Sequence, residues 1–296
     1  MNNTEIVIYM PAKNEDKYIA DTIKSLREQS FSNYRVIISD NCSSDDTVTE
    51  IEKVCSIDHR FSIVKQDRHL TAYENFQFGR KFFTEKYHMY AGAHDLFNKN
   101  YLEKIYNNLE SNPGAVVSGS KCLHFRDNGD FFKIPSLDLS TNGISPLERI
   151  MIYLQGTYYN SLYYGLFRTN LISKTIPAPV IAVDHLEMAY HLIEGDAITC
   201  DDPLIYFRYP NNVGDSKRQI NSSGAADGLI GWENLMRELK LLILNNFKGI
   251  HLYYGLEMVK SIFLTRYLYL LNQLGIEFLD AKIIADKILR IDTECA

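Results

Sequence analysis

The feature that most constrains this chain is an alternation. Through about the first hundred residues, short apolar runs take turns with segments of helical period. Glu5 to Met10 (EIVIYM) reads as a buried strand, which Pro11-Ala12-Lys13-Asn14-Glu15 breaks. Ile19, Ile23 and Leu26 then recur at helical spacing, and Arg35 to Ser39 (RVIIS) is a second strand ending in Asp40. After the polar loop Asn41 to Asp46, Ser43 and Asp46 fit the S-x-x-[DE] cap signature, and the helix that follows turns Val48, Ile51, Val54 and Cys55 inward. Phe61 to Val64 is a third strand. A helix from about Ala72 to Glu85 carries Tyr73, Phe76 and Phe83 on its apolar side. Then comes Tyr87 to Phe97, YHMYAGAHDLF, a strand that delivers Asp95 at its C-terminal end. Strand–helix–strand units are almost always right-handed crossovers, so the pattern predicts an α/β fold around a largely parallel sheet.

In such a sheet ligands bind beyond the carboxyl ends of the strands. Asp40 and Asp95 both fall there. A carboxylate at that edge suits a hard cation such as Mg²⁺ or Mn²⁺, which takes oxygen ligands and bridges phosphates. The competing reading makes Asp95 a cap for the helix opened by Asn98-Lys99-Asn100. Neither G-x-G-x-x-G nor a Walker A loop occurs, which speaks against a dinucleotide dehydrogenase or a P-loop NTPase. A nucleotide held by side chains and a metal fits better.

Composition removes other classes. The 296 residues carry a net charge of −6, which does not favour general nucleic-acid binding. Five scattered cysteines, with no C-x-x-C pair, indicate neither a zinc site nor a disulfide framework. The N-terminus lacks the basic-then-apolar pattern of a signal peptide, and the longest candidate span, Ile250 to Leu271, contains Glu257, Lys260 and Arg266. A cytoplasmic, non-spanning protein is the expectation.

The stretch from Tyr9 to Ile51 resembles the opening of family 2 glycosyltransferases: a strand, then P-x-x-N-E, a helix ending in Q-[ST]-[FY], and a strand ending in D-[ND]-x-S-x-D-x-T. Pro11, Asn14, Glu15, Gln29, Phe31, Asp40, Asn41, Ser43, Asp45 and Thr47 stand in register with it. The resemblance is strong over about the first 120 residues and weaker to about residue 210. It implies a GT-A fold, a Rossmann-like mixed sheet flanked by helices, with a nucleotide-binding part at about 1–120 and an acceptor part at about 121–210. By resemblance, Pro11, Ala12, Asn14 and Glu15 line the nucleotide pocket, and Asp40 binds uracil or ribose. Asp95 matches the metal-binding acid of a D-x-D motif, for Mn²⁺ or Mg²⁺. The chain departs from that motif in Ala93-His94-Asp95, where His94 stands beside the donor in place of an acid. For Asn14, Asp40 and Asp45 the alternative is a turn or cap role.

Beyond Asp95, a helix from Tyr101 to Leu109, a strand from Ala115 to Ser120, and a hairpin around Asp127-Asn128-Gly129 are expected. A helix from Pro146 to Gln155 leads into a tyrosine-rich segment and the strand Gly165 to Arg168; Arg168 is either a phosphate contact or solvated surface. Asp184, Glu187 and His191 share one face of a helix ended by Gly195, and taken alone that face reads as solvated. The family places its catalytic acid at the start of a helix here, which makes Asp184 the expected general base. Pro203 to Tyr209 (PLIYFRY) is a last strand, residues 211–230 a loop, lid or linker, and residues 231–296 a helical appendage: Trp232 to Leu279 helical throughout, then a helix from Ala281 to Ile291. That appendage packs on the catalytic part, forms a homo-oligomer face or touches a membrane.

The expected activity is metal-dependent transfer, with inversion, of a sugar from a UDP- or dTDP-linked donor to a hydroxyl acceptor. The acceptor would be a glycan or lipid-linked molecule of a surface polysaccharide, met at the inner face of the membrane. No Q-x-x-R-W occurs, against a processive synthase. A nucleotidyltransferase on a related sheet, or a catalytically weak nucleotide-sugar-binding protein, are the alternatives.

Overall fold

A computed structural model describes residues 4–132, 139–156, 161–171, 180, 183–209, 228–266 and 277–289. The expected linker of residues 211–230 falls mostly outside them. The first half is the predicted alternation: β1 (Ile6–Ala12), α1 (Ile19–Arg27), β2 (Tyr34–Asp40), α2 (Thr47–Cys55), β3 (Phe61–Lys65), α3 (Ala72–Gly79), β4 (Tyr87–Tyr90), β5 (Leu96–Phe97) and α4 (Tyr101–Ser111). The second half contributes β6 (Ala115–Arg126), β7 (Phe131–Phe132), α5 (Pro146–Gly156), β8 (Leu166–Arg168), α6 (Val183–Glu194) and β9 (Asp196–Tyr209). Three further helices follow: α7 (Gly228–Asn246), α8 (Ile250–Arg266) and α9 (Phe278–Leu289).

The strands form one mixed sheet in the order β3-β2-β1-β4-β8-β6-β9-β5, with β7 hairpinned onto β6. β3, β2, β1 and β4 are parallel; β8 runs antiparallel between β4 and β6. Along β1 the side chains divide by period two. Ile6, Ile8, Met10 and Ala12 join the core made with α1, α2 and α4. Val7 and Tyr9 join the opposite core, which also takes α5 and α6 and, from the C-terminal helices, Trp232, Leu239, Leu256 and Ala285. The appendage is therefore packed on the second face of the sheet, and Trp232 Nε1 donates to Ala281 O across its helices at 3.3 Å.

Several expectations need correction. β1 does not stop before Pro11; it runs to Ala12, with Pro11 opposite Ser39 and Ala12 opposite Asp40. Tyr9 O accepts from Ala91 N, so odd residues of β1 face β4, whose pairing ends at Tyr9–Tyr90. The N–H that proline lacks would have pointed where no strand remains. Ser43 caps nothing: α2 begins after Asp46 without a side-chain cap, while Asp45 accepts from Thr47 N and Oγ1, and Thr47 is buried in the place expected for the half-exposed Val48. A capping box does occur one helix later, between Thr71 and Glu74. The helix after it ends at Gly79, six residues short of the expected Glu85, and passes into a 3-10 turn, Arg80–Phe82. β9 starts at Asp196, before the apolar PLIYFRY, because its polar first half is paired along β6. The C-terminal helices are broken at Gly249, whose φ of +58° ends α7 and admits α8. The last helix begins at Phe278, three residues earlier than expected, and its described part closes at Leu289.

Candidate active site

The carboxyl ends of β1, β2 and β4 meet along one edge, and their loops are stitched together there. Asn14 lies in the left-handed region at φ +52°, which costs every residue that carries a Cβ, asparagine less than most. The surrounding bonds hold it: Asn14 N donates to Ser43 Oγ at 3.0 Å, and Asn14 Oδ1 accepts from Ser44 N at 2.9 Å. Next along, Glu15 N donates to Thr47 Oγ1 at 2.7 Å. Cys42 is the other non-glycine residue with positive φ among those described, at +58°. Backbone strain of this kind persists where its surroundings over-determine it, and it collects at ligand sites. As the turn alternative expects, Asn14 and Asp45 both shape this loop pair, and that pair walls the edge where Pro11 and Ala12 end β1.

Asp40 is buried at the last position of β2, and both its oxygens accept from Ser43 N at 3.3 Å. Its neighbour Asn41 fastens the next loop, donating Nδ2 to Leu70 O at 2.8 Å and accepting from Leu70 N at 2.7 Å. β2 therefore positions Asp40, and through Asn41 the start of α3.

Asp95 is not at the end of β4, as expected, but follows the loop Ala91–His94 and adjoins β5. Nor does it cap α4, whose N-cap is Asn100. Three elements hold the loop: α1, where Thr22 Oγ1 donates to Ala93 O at 3.1 Å; the first loop, where His94 Nδ1 lies 3.0 Å from Glu15 Oε1; and the end of β9. There Arg208 N donates to Asp95 Oδ1 at 3.1 Å, and Arg208 Nε donates to His94 O at 3.0 Å. The Arg208 guanidinium is sandwiched between the rings of Tyr18 and Phe125, 4.7 and 4.6 Å from their centroids. Arg208 was missed in the sequence; its signal was a lone cation within an aromatic strand. Gly92 was missed too: a Cβ there would collide with Asp95 Oδ2, so glycine lets the carboxylate approach the backbone this closely. Asp95 is only 3% exposed. Burial pushes its carboxyl above the ordinary range, opposed by His94 and the Arg208 N–H. A desolvated carboxylate with one oxygen on an N–H and the other over a glycine fits a single-ligand cation site. No cluster of three acidic, histidine or cysteine ligands occurs among the described residues, so the remaining ligands would be phosphates and water, as Mg²⁺ commonly takes them.

Asp184 sits in the first turn of α6, its side chain 36% exposed, 3.7 Å from His185 Nε2. The sheet edge gathers Pro11 to Glu15, Asp40, His94 and Asp95; Asp184 comes from another layer. Burial raises the Tyr164 hydroxyl pKa far above the usual, and the charges of Asp95, Asp184 and Tyr209 raise it further. The face Asp184 shares is not the solvated one expected: Glu187 and His191 are 2% and 4% exposed. Glu187 accepts from Arg80, Gln77 and Tyr163, and His191 packs on Phe167. Arg168 is not solvated surface: its side chain is 16% exposed. It donates to Ala115 O, Leu109 O and Asn112 O, closing the C-terminal end of α4. The cavity of about 660 Å³ beside it, bounded by Thr84, Tyr87 and Pro113, lies at the opposite end of β4 from Asp95.

A Rossmann-like mixed sheet with its candidate site on the carboxyl edge, and helices closing the far face, is a GT-A type architecture. The comparisons agree. The family model for glycosyl transferase family 2 matches residues 7–173, and the chain belongs to that family. An uncharacterized glycosyltransferase of Haemophilus influenzae is 28% identical over 121 residues, which are 40% of this chain and 38% of that protein. Glycosyltransferase GlyG of Streptococcus pneumoniae is 21% identical over 173 residues, 58% of this chain and 57% of its own length. The matches thus span less than two thirds of these curated relatives. Among solved structures, S. aureus TarS 1-349 in complex with UDP-GlcNAc superposes with a TM-score of 0.68 at 18% identity, covering 96% of this chain and 83% of that one. Mannosyltransferase PcManGT from Pyrobaculum calidifontis, in complex with GDP-Man and Mn²⁺, gives 0.52 at 13% identity, covering 96% and 73%. Among the described residues no helix is long and apolar enough to cross a membrane.

Proposed function

We propose that this chain transfers a sugar from a nucleotide diphosphate donor, UDP- or dTDP-linked, to a hydroxyl acceptor with inversion. The observation that carries the reading is the pair of buried carboxylates, Asp40 and Asp95, on one sheet edge beside the strained Asn14 loop. Asp40, with Pro11, Ala12, Asn14 and Glu15, binds the nucleoside. His94 and Asp95 face the diphosphate, and Asp95 holds the Mn²⁺ or Mg²⁺. A divalent cation there would neutralise the charge that gathers on the leaving diphosphate. Asp184 takes the proton of the acceptor hydroxyl as it attacks. With Asp184 as the base, the acceptor displaces the diphosphate in one step, hence with inversion. Supporting the donor class, TarS has been solved with UDP-GlcNAc and with UDP. In this reading residues 1–120 serve the donor and 121–210 the acceptor, a lipid-linked or surface-polysaccharide glycan met on the cytoplasmic face of the membrane. Residues 211–230 link to the helical part.

The test is a thermal-shift panel of UDP, dTDP and GDP, and of their sugars, with and without Mn²⁺. A ligand bound to the native state at 100 times its Kd adds about 2.7 kcal/mol. UDP or dTDP should raise the midpoint, more so with Mn²⁺. A chain that responds to no nucleotide diphosphate refutes the reading.

A further inference from the structure

We infer that Glu187 and Arg80 form a buried brace that holds the start of α6, and with it Asp184, in register with the nucleotide side of the site. The inference rests on the reading of Asp184 as the base. Glu187 and Arg80 have side chains 2% and 11% exposed, and Arg80 NH1 lies 2.5 Å from Glu187 Oε1. The same oxygen accepts from Gln77 Nε2 at 3.2 Å, while Oε2 accepts from Tyr163 OH at 2.6 Å. With donors on both oxygens and almost no exposure, Glu187 is closed to an acceptor, although it stands one turn from Asp184 on the same face. Its role lies in what its partners connect.

Gln77 belongs to α3, and Arg80 follows it directly. The other end of α3 begins at Thr71, next to Leu70, whose N–H and C=O are both held by Asn41, the neighbour of Asp40. One helix thus runs from the nucleotide loop to Glu187. Tyr163 adds the second arm: it stacks on Tyr90 at the end of β4, with centroids 5.1 Å apart. Glu187 is the point where α3, the Tyr163 turn and α6 are tied together. Desolvating two charges is expensive, and well-packed apolar side chains commonly hold helices as firmly as a buried ion pair. What the carboxylate and guanidinium add is direction, because charge-assisted bonds fix geometry as well as proximity. The two are positioning residues, acting through Asp184.

The experiment compares Glu187→Gln, the apolar pair Arg80→Met/Glu187→Leu, and Asp184→Asn in the full chain. The readouts are amide hydrogen exchange over α6, calorimetric UDP affinity, and turnover of whichever panel donor the wild-type chain uses. A misplacement near 1 Å can cost about 10²-fold in rate. Glu187→Gln should therefore lower kcat by about 10- to 100-fold, leave UDP affinity within about threefold, and speed exchange in the first turns of α6 by about tenfold or more. The apolar pair should return the unfolding midpoint towards wild type while kcat stays low, and it serves if Glu187→Gln fails to fold. Wild-type exchange in Glu187→Gln, UDP affinity falling in step with kcat, or an apolar pair that regains full kcat would each overturn the brace. Full transfer by Asp184→Asn would instead defeat the reading of the base, while the exchange measurement still judges the brace by itself.

Discussion

Replacing Gly92 with alanine puts the reading of Asp95 to a demanding test. Gly92 is not among the residues with positive φ, so alanine can adopt its backbone conformation. Restricting the unfolded chain would then by itself stabilise the fold by about 0.4–1 kcal/mol. Against that, the new Cβ meets Asp95 Oδ2, and a carboxylate 3% exposed has little room to swing away. Overpacking costs about 1–3 kcal/mol, and loosening the bond from Arg208 N to the charged Oδ1 costs about 1.5–3 kcal/mol if it breaks outright. Partial relaxation lies between these limits, so we expect a net loss of about 1–3 kcal/mol. The assays are urea unfolding and calorimetric UDP affinity at several Mn²⁺ concentrations. Stability should fall by that amount, and the Mn²⁺-dependent part of UDP affinity should fall at least about tenfold, since one displaced ligand is one lost metal bond. A variant as stable as wild type, or a destabilised one that keeps its full Mn²⁺ response, refutes the placement of Asp95 as ligand.

Asp40→Ala should weaken UDP binding while the midpoint of unfolding moves little; unchanged calorimetric affinity removes Asp40 from the nucleoside pocket. Asp184→Asn should keep donor and metal binding, yet lose transfer by about 10²–10⁴-fold, the usual range for a general base, whereas near-normal transfer makes Asp184 a cap. Acid should destabilise the fold through its buried neutral histidines: burial lowers His191 to about 4 and His88 well below its usual value. The unfolded chain takes up those protons near pH 6.5 and the folded one does not, so stability is complete above about 6.5 and is lost as pH falls towards about 4, by up to about 1.4 kcal/mol per unit for each group. A flat urea midpoint between pH 7 and 5 contradicts this. Stopping the chain at residue 227 should leave it aggregated, because Trp232, Leu239, Leu256 and Ala285 share a core with Tyr9 and Tyr153; a soluble, monomeric, active fragment would show the helices to be dispensable.

Much of the sheet edge proposed for the donor was legible because its signals are local. Period-two burial in β1 and β2, helical spacing in α1, and an acid after a strand are properties of a few consecutive residues, and the edge they share follows from right-handed crossovers. The resemblance carried by Pro11, Asn14, Glu15 and Asp40 lies within that same stretch. The errors came where a residue's fate depends on a distant partner. Ser43 matched a cap signature but instead accepts from Asn14 N, which lies 29 positions away. Pro11 looked like a breaker until β4 was seen to end beside Tyr9. Glu187 and His191 looked solvated because spacing reports a shared face and is silent on what covers it.

The sequence by itself determined the α/β class, the succession of the first four strands along the chain and Asp40 at the end of the second, since these follow from chain-local sterics and hydrophobic period. Tertiary structure alone decided how the His94–Asp95 loop is held, because Arg208 reaches it from 113 residues further along. It decided that Gly92 makes room for a carboxylate, and that both oxygens of Glu187 are bonded, to Arg80, Gln77 and Tyr163. It also decided that the C-terminal helices complete the second core. The physical reason is the same throughout: burial and charge pairing belong to the space between elements, and no window of consecutive residues contains that space.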